Sequence, residues 1–261
     1  MSQFKTGAAA LGALNQESAG AAASSEFAKF KSGTTLKVKV QGVEDIMQYF
    51  GYGVFKKVNT FVAKNPSTRN DRGYVESNPT PWDKASQHYY DKAKATADNG
   101  ASEDEVKAIR QEAYKYAGKE RYAIGFHDLT DGADIVVDFT KVQAKELYAI
   151  INKYGKKLDK MAFELSKQGA RQDTKVTLMP IIDMDDDLTD KERANFEKAV
   201  GQSFNSKLFE GLLFEADEKT QKENLVAAGF DLNLIGLSLD TDADNGGNDS
   251  DFANGNEQYE F

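Results

Sequence analysis

Five stretches of this chain carry the Val, Ile, Phe and Thr content of strands, and one long helical block separates the second from the third. That arrangement limits the folds available. TTLKVKV (Thr34 to Val40) alternates Leu36, Val38 and Val40 with Lys37 and Lys39, the pattern of a half-buried strand with a positive wet face. YGVFKKVNTFVAK (Tyr52 to Lys64) is dense in Val and Phe, and the shared parity of Phe55 and Phe61 places both in the core. RYAIGFHDL and DIVVDF flank the turn TDGA around Gly132, and DTKVTLMP stops at Pro180. The predicted β segments are 34 to 40, 52 to 63, 121 to 127, 134 to 139 and 173 to 179.

Between them, Pro79 and Pro81 stop the second strand and Trp82 begins a helix to about Ala97. ASEDEVKAIRQEAYKYAG is a second helix: Ser102 caps it with Glu105 three residues on, Val106, Ile109 and Ala113 form its apolar face, and Gly118 ends it. KVQAKELYAIINKYG is again helical. The fold class expected is mainly β with helical insertions, and five strands are most economically closed as an OB barrel. The domain reading is an Ala/Gly-rich arm over 1 to 30, a barrel domain over 31 to 180 with a helical insertion at 82 to 118, an acidic helical extension over 181 to 239 packed on the core, and a disordered acidic tail over 240 to 261.

Charge is spread unevenly over this plan. The net charge is -9, which taken alone argues against a polyanion ligand. Yet 31 to 75 holds eight basic and three acidic residues, and 141 to 175 holds nine and four, so each is +5. The last 22 residues carry seven acidic side chains and no Lys or Arg, and end on Tyr259, Glu260 and Phe261. Such a segment cannot build a core, but it suits a partner with a basic pocket. Asp249, Asp251, Glu257, Tyr259, Glu260 and Phe261 are the expected hook.

Several chemistries are excluded or disfavoured. With no cysteine, disulfides, iron-sulfur clusters and cysteine-based zinc sites are ruled out. No apolar run approaches the roughly 20 residues of a membrane helix, and the N-terminal GAAALGAL lacks the flanks of a signal peptide, so an intracellular protein is expected. DMDDD (Asp183, Asp185, Asp186, Asp187) has carboxylates for Mg²⁺ or Ca²⁺ but fails the EF-hand spacing, and a solvated acidic loop is the simpler reading. Lys167 to Gly169 matches no phosphate-binding loop. His127 and Asp128 are strand neighbours facing opposite ways, and no serine nucleophile joins them. No catalytic residue, metal or cofactor is expected, and the chain is read as a non-enzyme.

The two basic segments interleave rings with cations, as single-stranded nucleic acid requires: bases stack at roughly 1 to 3 kcal/mol each and phosphates pair with Lys and Arg. On this reading Arg69 and Arg72 join the phosphate contacts. Tyr52, Tyr74, Trp82 and Tyr154 are the candidate stacking rings, with core packing at least as good an account of Trp82.

Three features together resemble the single-stranded-DNA-binding proteins of tailed bacteriophages: the lysine-bearing strand LKVKVQG (Leu36 to Gly42), the block NKYGKKLDKMAFELSKQGARQDTKVTLMP (Asn152 to Pro180), and the acidic tail ending in an aromatic. The resemblance implies an OB fold that coats and protects transient single strands during phage replication, recombination and repair, in the cytoplasm of the infected host, with possible self-association on DNA. It implies a phosphate path along Lys37, Lys39, Lys56, Lys57, Lys156, Lys157, Lys160, Lys167 and Arg171. It also implies a tail that contacts polymerase, primase-helicase or recombinase, and on this reading the tail lies over the groove until DNA displaces it. The rival readings are an acidic interaction or scaffold protein and, from DMDDD, a metal-dependent nuclease.

Overall fold

The computed structural model describes residues 26–170 and 173–239. Its ten strands are β1 (Thr35–Lys39), β2 (Ile46–Val54), β3 (Val58–Ala63), β4 (Thr68–Arg69), β5 (Val75–Ser77), β6 (Lys119–Asp128), β7 (Ala133–Thr140), β8 (Phe163–Gln168), β9 (Lys175–Pro180) and β10 (Glu215–Ala216). The helices are α1 (Pro81–Asp98), α2 (Glu103–Tyr116), α3 (Lys141–Tyr154), α4 (Met184–Asp187), α5 (Asp190–Ala199) and α6 (Glu218–Ala228), with 3-10 turns at Gly155–Lys160, Ser206–Phe209 and Leu232–Ile235.

Strand β6 organises the sheet. Residues 119 to 124 pair antiparallel with β2, residues 127 and 128 pair with β1, and the opposite flank pairs with β7 over residues 121 to 128. From this hub the order runs β10-β3-β2-β6-β1-β8-β9, with β7 branching from β6, while β4 and β5 form a separate two-stranded ribbon. The terminal strands β9 and β10 do not pair with each other, so the sheet is open. This overturns the five-stranded OB barrel: the fold is mixed α/β with an eight-stranded main sheet. Strand-like composition says nothing about which strand pairs with which, and closure depends only on that. Strand β2 begins at Ile46, ahead of the expected start at 52, and MAFELSKQG, which reads as a strand before the turn at Gly169, is β8 and lies between β1 and β9.

An open sheet needs helices to cover its faces, and it has them. Val38, Val40, Phe126, Phe139, Phe163 and Leu165 form one core with Leu147 and Ile151 of α3. Helix α3 starts directly at the end of β7, where Thr140 and Gln143 make a reciprocal capping box. A second core gathers Tyr52 and Phe61 of β2 and β3, Trp82 of α1, Tyr116 of α2, and Leu225 and Phe230 at α6. Trp82 has no exposed surface, and its Nε1 donates to the Gln221 carbonyl at 3.0 Å. The helical block at 82 to 118 is therefore part of a core.

Phe55 departs from the expectation drawn from parity. Phe61 is fully buried, but Phe55 is 87% exposed. Residues 55 to 57 form the turn between β2 and β3, with Lys56 at φ 63°, so strand alternation stops before Phe55.

The segment after α5 crosses back over the sheet. Phe204 and Leu212 pack with Tyr49, Ala123 and Val136. Gly125 of β6 makes this possible: a Cβ there would lie 2.6 Å from the Phe204 ring. We expect Gly125→Ala to destabilise the fold by about 1–3 kcal/mol, the range for overpacking a filled core. Urea unfolding followed by the fluorescence of Trp82 measures it.

Candidate functional site: a lysine face and a polar pocket

Five of the cations expected on a phosphate path are committed to the fold. Lys39 has no exposed surface and its Nζ lies 2.8 Å from Asp159 Oδ1. Lys37 donates to Glu192 Oε2 at 3.1 Å, and Lys57 donates to the Ala228 carbonyl at 3.0 Å. Arg69 donates to Asp83, to the Tyr52 hydroxyl and to the Gly73 carbonyl, and lies over the Phe50 ring at 4.3 Å. Lys167 donates to the Phe30 carbonyl and sits over that ring. A cation held by a buried carboxylate or carbonyl is not free to neutralise a phosphate without leaving its partner unpaired.

The stacking rings fare similarly. Tyr52 is 2% exposed and Trp82 is fully buried, so neither offers a face to a base. Tyr154 is half-buried and edge-on to Phe163. Tyr74, at 68% exposure, is open, but it stands beside β5 and bonds through its backbone N–H to Asn70. The two basic segments meet where β1 pairs with β8 and where Lys39 bonds Asp159, while Lys57 packs at the end of α6. Arg171 and the tail residues Asp249, Asp251, Glu257, Tyr259, Glu260 and Phe261 lie outside the described residues.

The nuclease alternative also loses its basis. DMDDD folds as the short helix α4, with Asp183 as its N-cap accepting from the backbone N–H of Asp185 and Asp186. Among the described residues no group of three or more His, Asp or Glu side chains is placed to hold a metal.

Two features remain. The first is a lysine face. Lys156, Lys157 and Lys160 are exposed on the 3-10 turn that continues α3, and Lys145 and Lys153 are exposed on α3 itself. The acid within the turn, Asp159, is held by Lys39, whose hydrogen bond and charge keep its carboxyl below the usual range. The helix C-terminus suits lysines. Lys56 and Arg72 are also exposed, on the β2–β3 turn and in the β4–β5 connection.

The second feature escaped the reading of residues in sequence order. His127 Nδ1 lies 2.7 Å from Asp134 Oδ1, not near its neighbour Asp128 in chain order. The two are cross-strand partners in β6 and β7. The signal was present, because 127 and 134 stand close to symmetrically about the turn at Gly132, and residues so placed in a hairpin face each other. Asp134 Oδ2 accepts from the Asn205 N–H at 2.8 Å, which fixes the carboxylate.

No protein-family model, curated protein or solved structure matches the chain. With the open mixed sheet on view, the resemblance to phage single-stranded-DNA-binding proteins does not hold, and neither does the coating function that rested on an OB barrel.

The ion pairs carry a pH dependence. Partial desolvation alone pushes the Glu192 carboxyl up, but hydrogen bonds from Thr189 and Lys37 outweigh it and hold it below its ordinary value. A carboxyl lowered on folding adds stability above its unfolded pKa and loses it as pH falls through the folded one. The urea midpoint of the wild type is thus expected to fall as pH drops below the ordinary Glu value of about 4.3. Glu192→Gln is expected to be the less stable protein near neutrality and to show a shallower fall, so the gap between the two curves closes in acid.

Proposed function

We propose that this protein acts by binding rather than by catalysis, and that the lysine face at the end of α3 engages an extended polyanionic partner. One observation carries this reading: Lys153, Lys156, Lys157 and Lys160 lie exposed within eight residues, with no salt bridge to any of them among the described residues. Charge left unpaired on a rigid element raises the local concentration of anions. The face rests on Leu147, Ile151 and Leu158, all buried in the first core, so its lysines are presented by packed structure.

Tyr148 is the exposed ring on this part of α3, at 37%. So little aromatic surface favours recognition by charge over recognition by stacking. The composition of 240 to 261 supports a second contact of the opposite sign, an acidic hook for a basic partner.

Fluorescence anisotropy with labelled polyglutamate and, separately, a labelled oligonucleotide tests the reading and tells a protein-like partner from a nucleic acid. At low salt we expect saturable binding that weakens steeply as salt rises. Lys156→Ala with Lys157→Ala should lower affinity about tenfold and flatten the salt slope. Binding that is unchanged in the double variant, or absent for both polyanions, overturns the proposal.

A further inference from the structure

A row of three polar side chains crosses the sheet on one face. Lys39 of β1 is the register partner of His127 of β6, and His127 is the partner of Asp134 of β7. Directly opposed residues of antiparallel strands project to the same side. Here that side opens on a cavity of about 430 Å³ lined by Gln41, His127, Asp134, Asn195, Lys198 and Ser203, among others. Its far wall is α5 and the residues after it, held against the sheet where Asn195 donates to the Leu129 carbonyl at 2.8 Å.

The hydrogen-bond inventory of this cavity is unbalanced. The Asp134 carboxylate can only accept, so Nδ1 of His127 carries the proton between them, and in the Nδ1–H tautomer Nε2 is an acceptor. Gln41 Oε1 is buried and has no partner. Close by, Asp45 Oδ2 is also buried without one. Burial raises the Asp45 carboxyl above its ordinary value, and the charge of Asp134 adds to the rise. Lys39, whose ammonium is bonded to Asp159, and the Gly42 backbone pull the Asp45 carboxyl down but do not cancel the rise. Lys198, exposed at the rim, is the one cation among the lining residues. The acceptor left without a donor among the lining residues is Gln41 Oε1, beside the imidazole and the Asp134 carboxylate. A buried acceptor without a donor costs about 1–3 kcal/mol, so a ligand that supplies N–H groups and positive charge is favoured.

We propose that this cavity is a binding site for a small organic cation with several N–H donors, a guanidinium or primary ammonium compound. The imidazole of His127 and the Gln41 carbonyl accept its N–H groups, and Asp134 supplies the opposing charge while holding the imidazole in the accepting tautomer. The volume lies at the small end of the range for ligand pockets. The proposal rests on different residues from those of the lysine face, which attracts the opposite charge.

His127 and His88 are the two histidines of the chain, so their imidazole NMR signals form a reporter and an internal control. The full-length protein is titrated with methylguanidinium chloride at millimolar concentrations, with tetramethylammonium chloride as a cation lacking N–H donors and sodium acetate as an anion. Methylguanidinium is expected to shift the His127 signals saturably and leave His88 unmoved, and the other two salts are expected to produce no saturable shift. Asp134→Asn should weaken binding about tenfold or more, as for loss of a charged hydrogen-bonding partner. Gln41→Leu, which removes the orphan acceptor without touching the strand pair, should weaken it several-fold, and Lys198→Ala should tighten it. No saturable shift with methylguanidinium, an equal response to tetramethylammonium, a response to acetate, or full affinity in folded Gln41→Leu would each overturn the proposal.

Discussion

The pairing of β6 is the constraint on which the rest of the structure depends. A single ten-residue strand holds β2 and β1 end to end along one flank and β7 along the other. Because β1 and β2 share that flank, the chain between them must turn a corner, and the Gly125 N–H donating to the Asp45 carbonyl at 2.8 Å continues the pairing across it. The same strand supplies Ile124 and Phe126 to the first core and Ala123 to the third. Side-chain alternation along β6 thus feeds two faces at once, and each face then requires its own cover. The cover is α3 on one side and the Phe204 to Leu212 segment on the other.

The electrostatic character of the molecule follows from how that cover is attached. Where elements meet, ionic groups are used as fasteners: Lys37 to Glu192 joins β1 to α5, Lys39 to Asp159 joins β1 to the turn after α3, and Arg69 to Asp83 joins β4 to α1. Removing Asp159 leaves the buried Lys39 uncompensated, and removing either member of the nearly buried Arg69–Asp83 pair does the same to the other, which is why these residues are structural despite their charge. The lysines left outside this set are the ones that sit on the outer surface of an element already packed on its inner side. Charge excess in a stretch of sequence and charge available at a surface are therefore different quantities, and Lys37, Lys39, Lys57, Arg69 and Lys167 belong only to the first.

Local structure was legible in the residues. Pro81 and Trp82 mark the start of α1 and Ser102 caps α2, because helix-start signals act within one turn of chain. The strands around Gly132 were legible for the same reason, since a tight hairpin pairs residues close in sequence. Long-range pairing was not. Trp82 against Gln221 spans 139 positions and Lys37 against Glu192 spans 155, and no periodicity within either segment encodes its partner. The reading of Phe55 as core failed on a local matter instead: alternation was extended one residue past the end of a strand, into a turn. The His127–Asp134 pair was reachable by counting outward from that hairpin turn, but neighbours in sequence drew attention to Asp128.

By itself the sequence determined the main helices, the hairpin around Gly132 and how charge is divided along the chain, because each of these depends on side chains within a few residues of one another. Tertiary structure decided that the sheet stays open, that Tyr52 and Trp82 lie inside, which lysines are held by acceptors from other elements, and that the His127–Asp134 pair lines a cavity. Those outcomes rest on contacts between segments that are far apart along the chain. Their energies come from burial and pairing that do not exist until the segments meet.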